Sequence, residues 1–184
     1  MIQNKAKVII IGGGVIGCSV AYHLSKLGWN DIVLLERKQL TSGTTWHAAG
    51  LIGQLRASAN MTKLAKYTQE LYFDLEKETG VSTGFKRVGS ISVALTNERM
   101  EELKRSAAMA RAFGVDVEEI SPREIKNRYP HINLERVVGG VFLGKDGQGD
   151  PANIALALAK AHGRKVLKFT KELLQRKYLK IRIK

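Results

Sequence analysis

The stretch that most restricts the fold is residues 7–37, "KVIIIGGGVIGCSVAYHLSKLGWNDIVLLER". Val8–Ile11 is a continuous apolar, β-branched run, which predicts a strand buried on both faces. Three glycines follow, and then apolar residues recur at helical spacing: Val15, Cys18, Ala21/Tyr22 and Leu24/Ser25. Gly28 falls where such a helix would end. Residues 31–36, "DIVLLE", form a second apolar run that closes on an acid. Strand, helix and strand within about 30 residues make a β-α-β unit, whose strands are parallel and whose crossover is right-handed. The predicted class is therefore α/β, with a Rossmann-like nucleotide-binding unit at its start.

The glycines have a dinucleotide spacing, Gly12-x-Gly14-x-x-Gly17. Gly12 permits a tight turn out of the strand, Gly14 lets backbone approach a pyrophosphate, and Gly17 lets helix pack closely on strand. The anion then rests on the first helical turn, at Val15 and Ile16, where free N–H groups and the helix dipole favour negative charge. Glu36, at the end of the second strand, is placed to accept hydrogen bonds from ribose hydroxyls. Its charge would repel a 2′-phosphate, so an NADP-type ligand is disfavoured. Arg37 follows it and completes this group of candidate contacts. The spacing does not separate FAD from NAD.

Beyond this unit, residues 41–53 are polar and rich in Gly and Ala, which predicts a loop. Residues 61–79 have helical spacing and end at Gly80. "VGSISVAL", 88–95, alternates as a strand does, and 97–113 reads as an amphipathic helix stopped by Gly114. "VDVEEI" is a short strand. Ser121, Pro122 and Glu124 have the arrangement of a capping box, and Pro130 ends the helix they start. "GGVFLGKDGQGDP" is a strand and a Gly-rich turn, after which Asp150 caps a helix beginning at Pro151.

The loop stretch "TSGTTWHAAG", 41–50, carries one of the two Trp and one of the four His in the chain. With the N-terminal glycine fingerprint and the acid at the second strand's end, "TSGTTWHAAGLIGQLR" resembles the FAD-dependent amine oxidoreductases of the D-amino-acid-oxidase (DAO) superfamily, within it the dimethylglycine and sarcosine dehydrogenase group. "GFKRVGSISVALTNERMEELKR" resembles the start of that group's substrate domain. "GGVFLGKDGQGDPANIALALAKAH" resembles the return of the chain to the FAD domain. The resemblance spans about residues 5–162. It divides the chain into an FAD-binding segment (1–80), a partial α+β substrate domain (81–138), the return segment (139–162) and a basic tail (163–184).

The resemblance implies FAD as cofactor, and a flavin bonded through the 8α carbon to His47, as in several members of the group. A neutral imidazole nitrogen is nucleophilic enough for that chemistry. A non-covalent flavin contact and a hydrogen bond within the loop are the alternatives for His47. Thr44, Thr45 and the N–H groups of the loop would meet phosphates and the flavin edge, Trp46 would pack beside the ring, and Ala48, Gly50 and Leu51 belong to the same stretch. The implied reaction is oxidation of an N-methylated glycine, of the dimethylglycine or sarcosine type, by hydride transfer to flavin N5. The small-molecule partner would be a methylated amine or amino acid, with folate as a further partner through a C-terminal domain. The catalytic residues are unknown, because the substrate pocket is expected downstream. The rival readings are an NAD-dependent dehydrogenase and a non-catalytic flavin-binding or regulatory subunit.

Such an enzyme is expected to be twice this length or more. After Gly163 the expected strand, paired with "DIVLLE", is not legible. The segment 163–184 instead holds nine Lys/Arg against one Glu, a surplus of eight, so the other 162 residues carry only five of the net +13. This reads as a frameshift or truncation product, and DNA beyond codon 184 would then continue the domain in another frame. A basic amphipathic tail for an anionic membrane or RNA is the competing reading.

Charge so concentrated argues against a nucleic-acid-binding body. No apolar run reaches the roughly 18 residues of a membrane span. One cysteine, Cys18, excludes an internal disulfide and suits a reducing compartment, so a cytoplasmic location is the expectation. Cys18 is expected to be buried and inert, and His23 a packing or surface residue in the first helix. His131 and His162 have no ligand partners at metal spacing, and no metal is predicted.

Overall fold

The computed structural model describes residues 6–161 and 166–168. In chain order the first elements are β1 (Val8–Ile11), α1 (Val15–Lys26), β2 (Ile32–Glu36), a 3-10 turn (Thr45–His47), β3 (Leu51–Ile52) and α2 (Ala59–Thr79). There follow β4 (Ser90–Ala94), α3 (Asn97–Ala112), β5 (Glu118–Ile120) and α4 (Pro122–Arg128). The last are β6 (Gly139–Leu143), β7 (Gly147–Gln148), α5 (Pro151–Ala161) and β8 (Val166–Lys168). These elements form two compact units, and the division falls within α2, between Phe73 and Asp74.

The first unit takes residues up to 50, 74–84 and those from 150 onward. Its sheet has the order β1-β2-β8 and is parallel throughout, with Ile10 opposite Leu34 and Leu34 opposite Val166. Parallel strands need a crossover, and α1 supplies the one between β1 and β2. Ile32, Val33, Leu34 and Leu35 of β2 are all buried, as a central parallel strand requires. Helix α1 turns Cys18, Ala21 and Tyr22 inward, and α5, with Ile154, Ala155, Ala157 and Leu158 buried, packs against it. α1 stops in a Schellman pattern: Gly28 N–H donates to Ser25 O and Trp29 N–H to Leu24 O, both at 3.0 Å. Tyr22 Oη donates to Glu78 Oε2 at 2.9 Å, and Lys26 pairs with the same carboxylate.

Two expectations change in this unit. β1 is not buried on both faces: exposed Ile9 and Ile11 alternate with half-buried Val8 and Ile10, so among the described residues only one face is covered. The sequence offers no strand after Gly163, yet Val166–Lys168 pairs in parallel with β2. A short apolar run supplies enough backbone to extend a sheet whose neighbour already presents a row of N–H and C=O groups. The rest of the basic tail, with His162, lies outside the described residues.

The second unit takes residues 51–73 and 85–149. Its sheet has the order β4-β6-β5, antiparallel, with Ser90 opposite Leu143 and Glu118 opposite Phe142. Alternation in "SISVA" turns one face to α3, and Ala94, Leu103, Ala107, Ala110, Val115, Val141 and Leu143 form the core between them. Thr96 caps α3 by accepting from Arg99 N–H at 3.2 Å. The capping box expected at Ser121 and Glu124 is formed, and it seats Ile125 fully buried against β6. A two-stranded ribbon, β3 with β7, completes the unit.

Leu34 is fully buried between two strands. Leu34→Ala should lower stability by about 2–5 kcal/mol, the range for emptying such a site. The urea midpoint with unchanged slope checks this.

Candidate functional site

The Gly-rich turn is the base of the site. Gly12 has φ +108°, which L side chains rarely adopt, and its N–H donates to Leu35 O at 2.8 Å. A Cβ on Gly17 would collide with the Gly12 carbonyl, so the first turn of α1 can lie on the strand only with glycine at that position. Gly14 is the N-cap residue, and no side chain of its own caps α1. The N–H groups of the first turn have no intrahelical acceptor; that of Val15, expected to be free for an anion, is taken by Thr45, which leaves those of Ile16 and Gly17 to face one.

Three hydrogen bonds fasten the following chain to this turn. Gly13 N–H donates to Glu36 Oε2 at 2.7 Å. Thr41 N–H donates to Gly13 O at 2.9 Å. Val15 N–H donates to Thr45 Oγ1 at 3.0 Å. Leu40 covers Gly13, where an added Cβ would stand 2.5 Å from Leu40 Cδ2. Thr41 and Thr45 are buried, and Thr41 takes φ +70° to make the bend.

Glu36 also accepts from Lys38 N–H at 2.9 Å. Each carboxylate oxygen thus holds one main-chain donor and retains capacity for another, which a ribose hydroxyl can use. Partial burial pushes its pKa up, but the N–H groups of Gly13, Lys38 and Arg37 and the Arg37 charge outweigh this and hold it below the ordinary carboxylate value. Cys18 behaves as expected for a buried thiol: desolvation, then the nearby Glu36 charge, push its pKa up to about 11. It is no nucleophile.

Beyond Thr45 the loop turns outward. Trp46 and His47 are exposed, with ring centroids 4.1 Å apart. His47 Nδ1 lies 3.1 Å from Gly43 O. A carbonyl only accepts, so Nδ1 is the protonated nitrogen, and a neutral ring leaves its lone pair on Nε2, away from that bond. Thr44, Ala48 and Arg37 are exposed, and Thr44 O accepts from His47 N–H at 3.2 Å. Gly50 has φ +73° and ends the first unit. Ile16 is exposed in the first turn of α1, and Leu51 is exposed on β3 in the second unit.

The structure therefore brings Gly12, Gly14, Val15, Gly17, Glu36 and Thr45 into one cluster. Sequence reasoning missed Gly13, Leu40 and Thr41 there. Gly13 is an unspecified position of the fingerprint, and only the fold brings 40–41 back over it. In the second unit, Asp146 does more than make a turn. Its carboxylate accepts from Gln54 N–H at 2.8 Å and Ser90 Oγ at 2.7 Å, and its carbonyl accepts from Gly89 N–H at 2.7 Å. Gln69 Nε2 donates to Ile52 O at 2.8 Å. Asp150 is the expected cap of α5. His23 is bound within its own helix, with Nδ1 2.7 Å from Ser19 O. Among the described residues no cluster of three or more His, Cys, Asp or Glu could hold a metal, and no helix is long and apolar enough to cross a membrane.

The family model for DAO, FAD dependent oxidoreductase, matches residues 7–172. The chain belongs to the DAO family of FAD-dependent oxidoreductases. The match runs past Gly163 and includes β8. Membership in the DAO family also selects FAD over NAD, which the glycine spacing leaves open. Over 157 residues the chain is 45% identical to the mitochondrial pyruvate dehydrogenase phosphatase regulatory subunit of Mus musculus, covering 85% of this chain and 18% of that protein. Over 161 residues it is 42% identical to mitochondrial sarcosine dehydrogenase of Homo sapiens, covering 87% and 18%. The L-proline dehydrogenase of P. horikoshii superposes with a TM-score of 0.84 at 28% identity, over 91% of this chain and 45% of that one. The chain thus spans about a fifth of the length of these two sequence relatives.

The Glu36 bond to the turn has a pH signature. Its folded pKa is lowered from 4.5, so the stability it contributes is present above that value and is lost as pH falls through the folded value. Glu36→Gln should melt lower than wild type at pH 7, with the gap narrowing as pH falls below 4.5 towards the lowered folded value; a gap that does not narrow on acidification would disprove the assignment.

Proposed function

We propose that the chain is the N-terminal part of an FAD-dependent amine oxidoreductase acting on an N-methylated glycine such as sarcosine or dimethylglycine. The observation that carries the reading is the hydrogen bond from Val15 N–H to Thr45, which docks the His47 turn on the helix end that would receive a pyrophosphate. The 42% identity to sarcosine dehydrogenase supports the substrate class.

The residues present fit the cofactor. Gly12, Gly13 and Gly14 put no side chain of their own between backbone and phosphate, the N–H groups of Ile16 and Gly17 in the first turn of α1 are donors, and Glu36 keeps acceptor capacity for ribose. His47 presents Nε2 for a bond to the flavin 8α carbon, and its Nδ1–H bond to Gly43 holds the ring in the tautomer that leaves Nε2 nucleophilic. Trp46 lies against the imidazole, with the two rings tilted by 38°. When bound, FAD supplies the acceptor for the hydride of a substrate C–H. This chain's own part is to hold that cofactor and exclude water from its pyrophosphate end. Release of the one-carbon unit by hydrolysis of the oxidised amine, or its capture by folate, belongs to a longer protein.

A second reading has its own support: the 45% identity to a phosphatase regulatory subunit favours a flavin-binding protein without turnover. Anaerobic addition of sarcosine or dimethylglycine to the full-length protein separates the two. Bleaching of the flavin band supports the oxidoreductase; an unchanged spectrum with both amines would sink it. Acid precipitation tests His47: flavin retained in the pellet, and lost to the supernatant in His47→Ala, is expected.

A further inference from the structure

We infer that Thr45 is a positioning residue for the flavin–His47 bond, with its hydroxyl locking the His47 turn to the amino end of α1. The inference rests on the covalent link proposed above. Thr45 is the first residue of the 3-10 turn that ends at His47, so its side chain and the imidazole belong to one rigid three-residue element. Thr45 is buried whereas its two successors are exposed, which makes it the anchor of that element. Its hydroxyl accepts from Val15 N–H at 3.0 Å. The space it occupies exists only because residue 14 is glycine: a Cβ there would stand 2.8 Å from Thr45 Oγ1. At its other end the loop is pinned by Thr41 N–H on Gly13 O and by Leu40 over Gly13.

The hydroxyl has both an acceptor and a donor role. Its oxygen is committed to Val15 N–H, and its proton is left to point at an anion on the same helix end. One side chain thus ties the position of the phosphate seat to the position of Nε2, two residues away. Attachment forms the Nε2–C8α bond at the expense of an 8α C–H bond. One proton leaves from that carbon and one from Nδ1 of the alkylated imidazole, and two electrons pass to the flavin, from which dioxygen removes them to give hydrogen peroxide. A reaction between two tethered groups depends steeply on their placement, so a loosened turn slows it without abolishing binding of the cofactor.

The test compares full-length wild type, Thr45→Ser, Thr45→Val and His47→Ala for total flavin, by absorbance, and for covalent flavin, by in-gel fluorescence after denaturation. Expected in Thr45→Val is a covalent share of the bound flavin reduced at least about tenfold, beyond any fall in total flavin, with recovery in Thr45→Ser, which keeps the hydroxyl. Thr45→Ala, with room for a water at Val15 N–H, takes the place of Thr45→Val if the latter does not fold, with the same expectation. Covalent flavin unchanged in the variant without a hydroxyl overturns the inference. So does parallel loss of total and covalent flavin, which marks a merely structural role, or a Thr45→Ser that fares no better than Thr45→Val. Wild type that releases all its flavin on denaturation refutes the His47 link itself, and this inference with it.

Discussion

The peptide group of Gly13 holds the candidate site together. Its N–H is bound by the carboxylate at the end of β2 and its carbonyl by the N–H of Thr41. The first bond ties the crossover turn to the neighbouring strand; the second brings the next loop back over that turn. The first is partly buried and the second joins two buried residues, a setting where a hydrogen bond is electrostatically stronger and an unmet partner costlier than in water. Every other contact of the cluster, from Leu40 on Gly13 to Thr45 on Val15, needs the loop to be already in place.

Glu36 serves this arrangement twice. As a structural acceptor it gathers the N–H of Gly13 and of Lys38, and this keeps it ionised. As an ionised group beside the amino end of α1 it favours the helix and keeps lone pairs for a ribose. The same charge helps to keep the thiol of Cys18 protonated. The carboxylate thus has a structural role of its own, binding the Gly-rich turn to the end of β2.

Much of this was legible in residue order. The β-α-β unit, the capping box at Ser121, the glycine stops after α2 and α3 and the Asp150 cap are local devices, written in adjacent residues and formed where expected. That Gly12, Gly14, Gly17 and Glu36 lie together was legible, because a fingerprint encodes a turn that folds on itself. It was not legible for Gly13, Leu40 and Thr41, whose roles depend on contact across more than 20 residues of chain. Nor was the work of Asp146, which joins residues 54 and 90 through its side chain and residue 89 through its carbonyl. β8 escaped notice because it is three residues long, only two of them apolar, within a basic stretch, and its pairing is supplied by β2.

What the sequence determined by itself is the nucleotide unit and its polarity: apolar runs, glycine spacing and a terminal acid suffice, since each acts through neighbours in the chain. What only tertiary structure decided is which loop residues serve the site. Burial of Thr45, exposure of His47 and the tautomer set by Gly43 follow from how the loop lies on the helix end. No periodicity records that placement, because it is fixed by three hydrogen bonds between segments that the fold alone brings together.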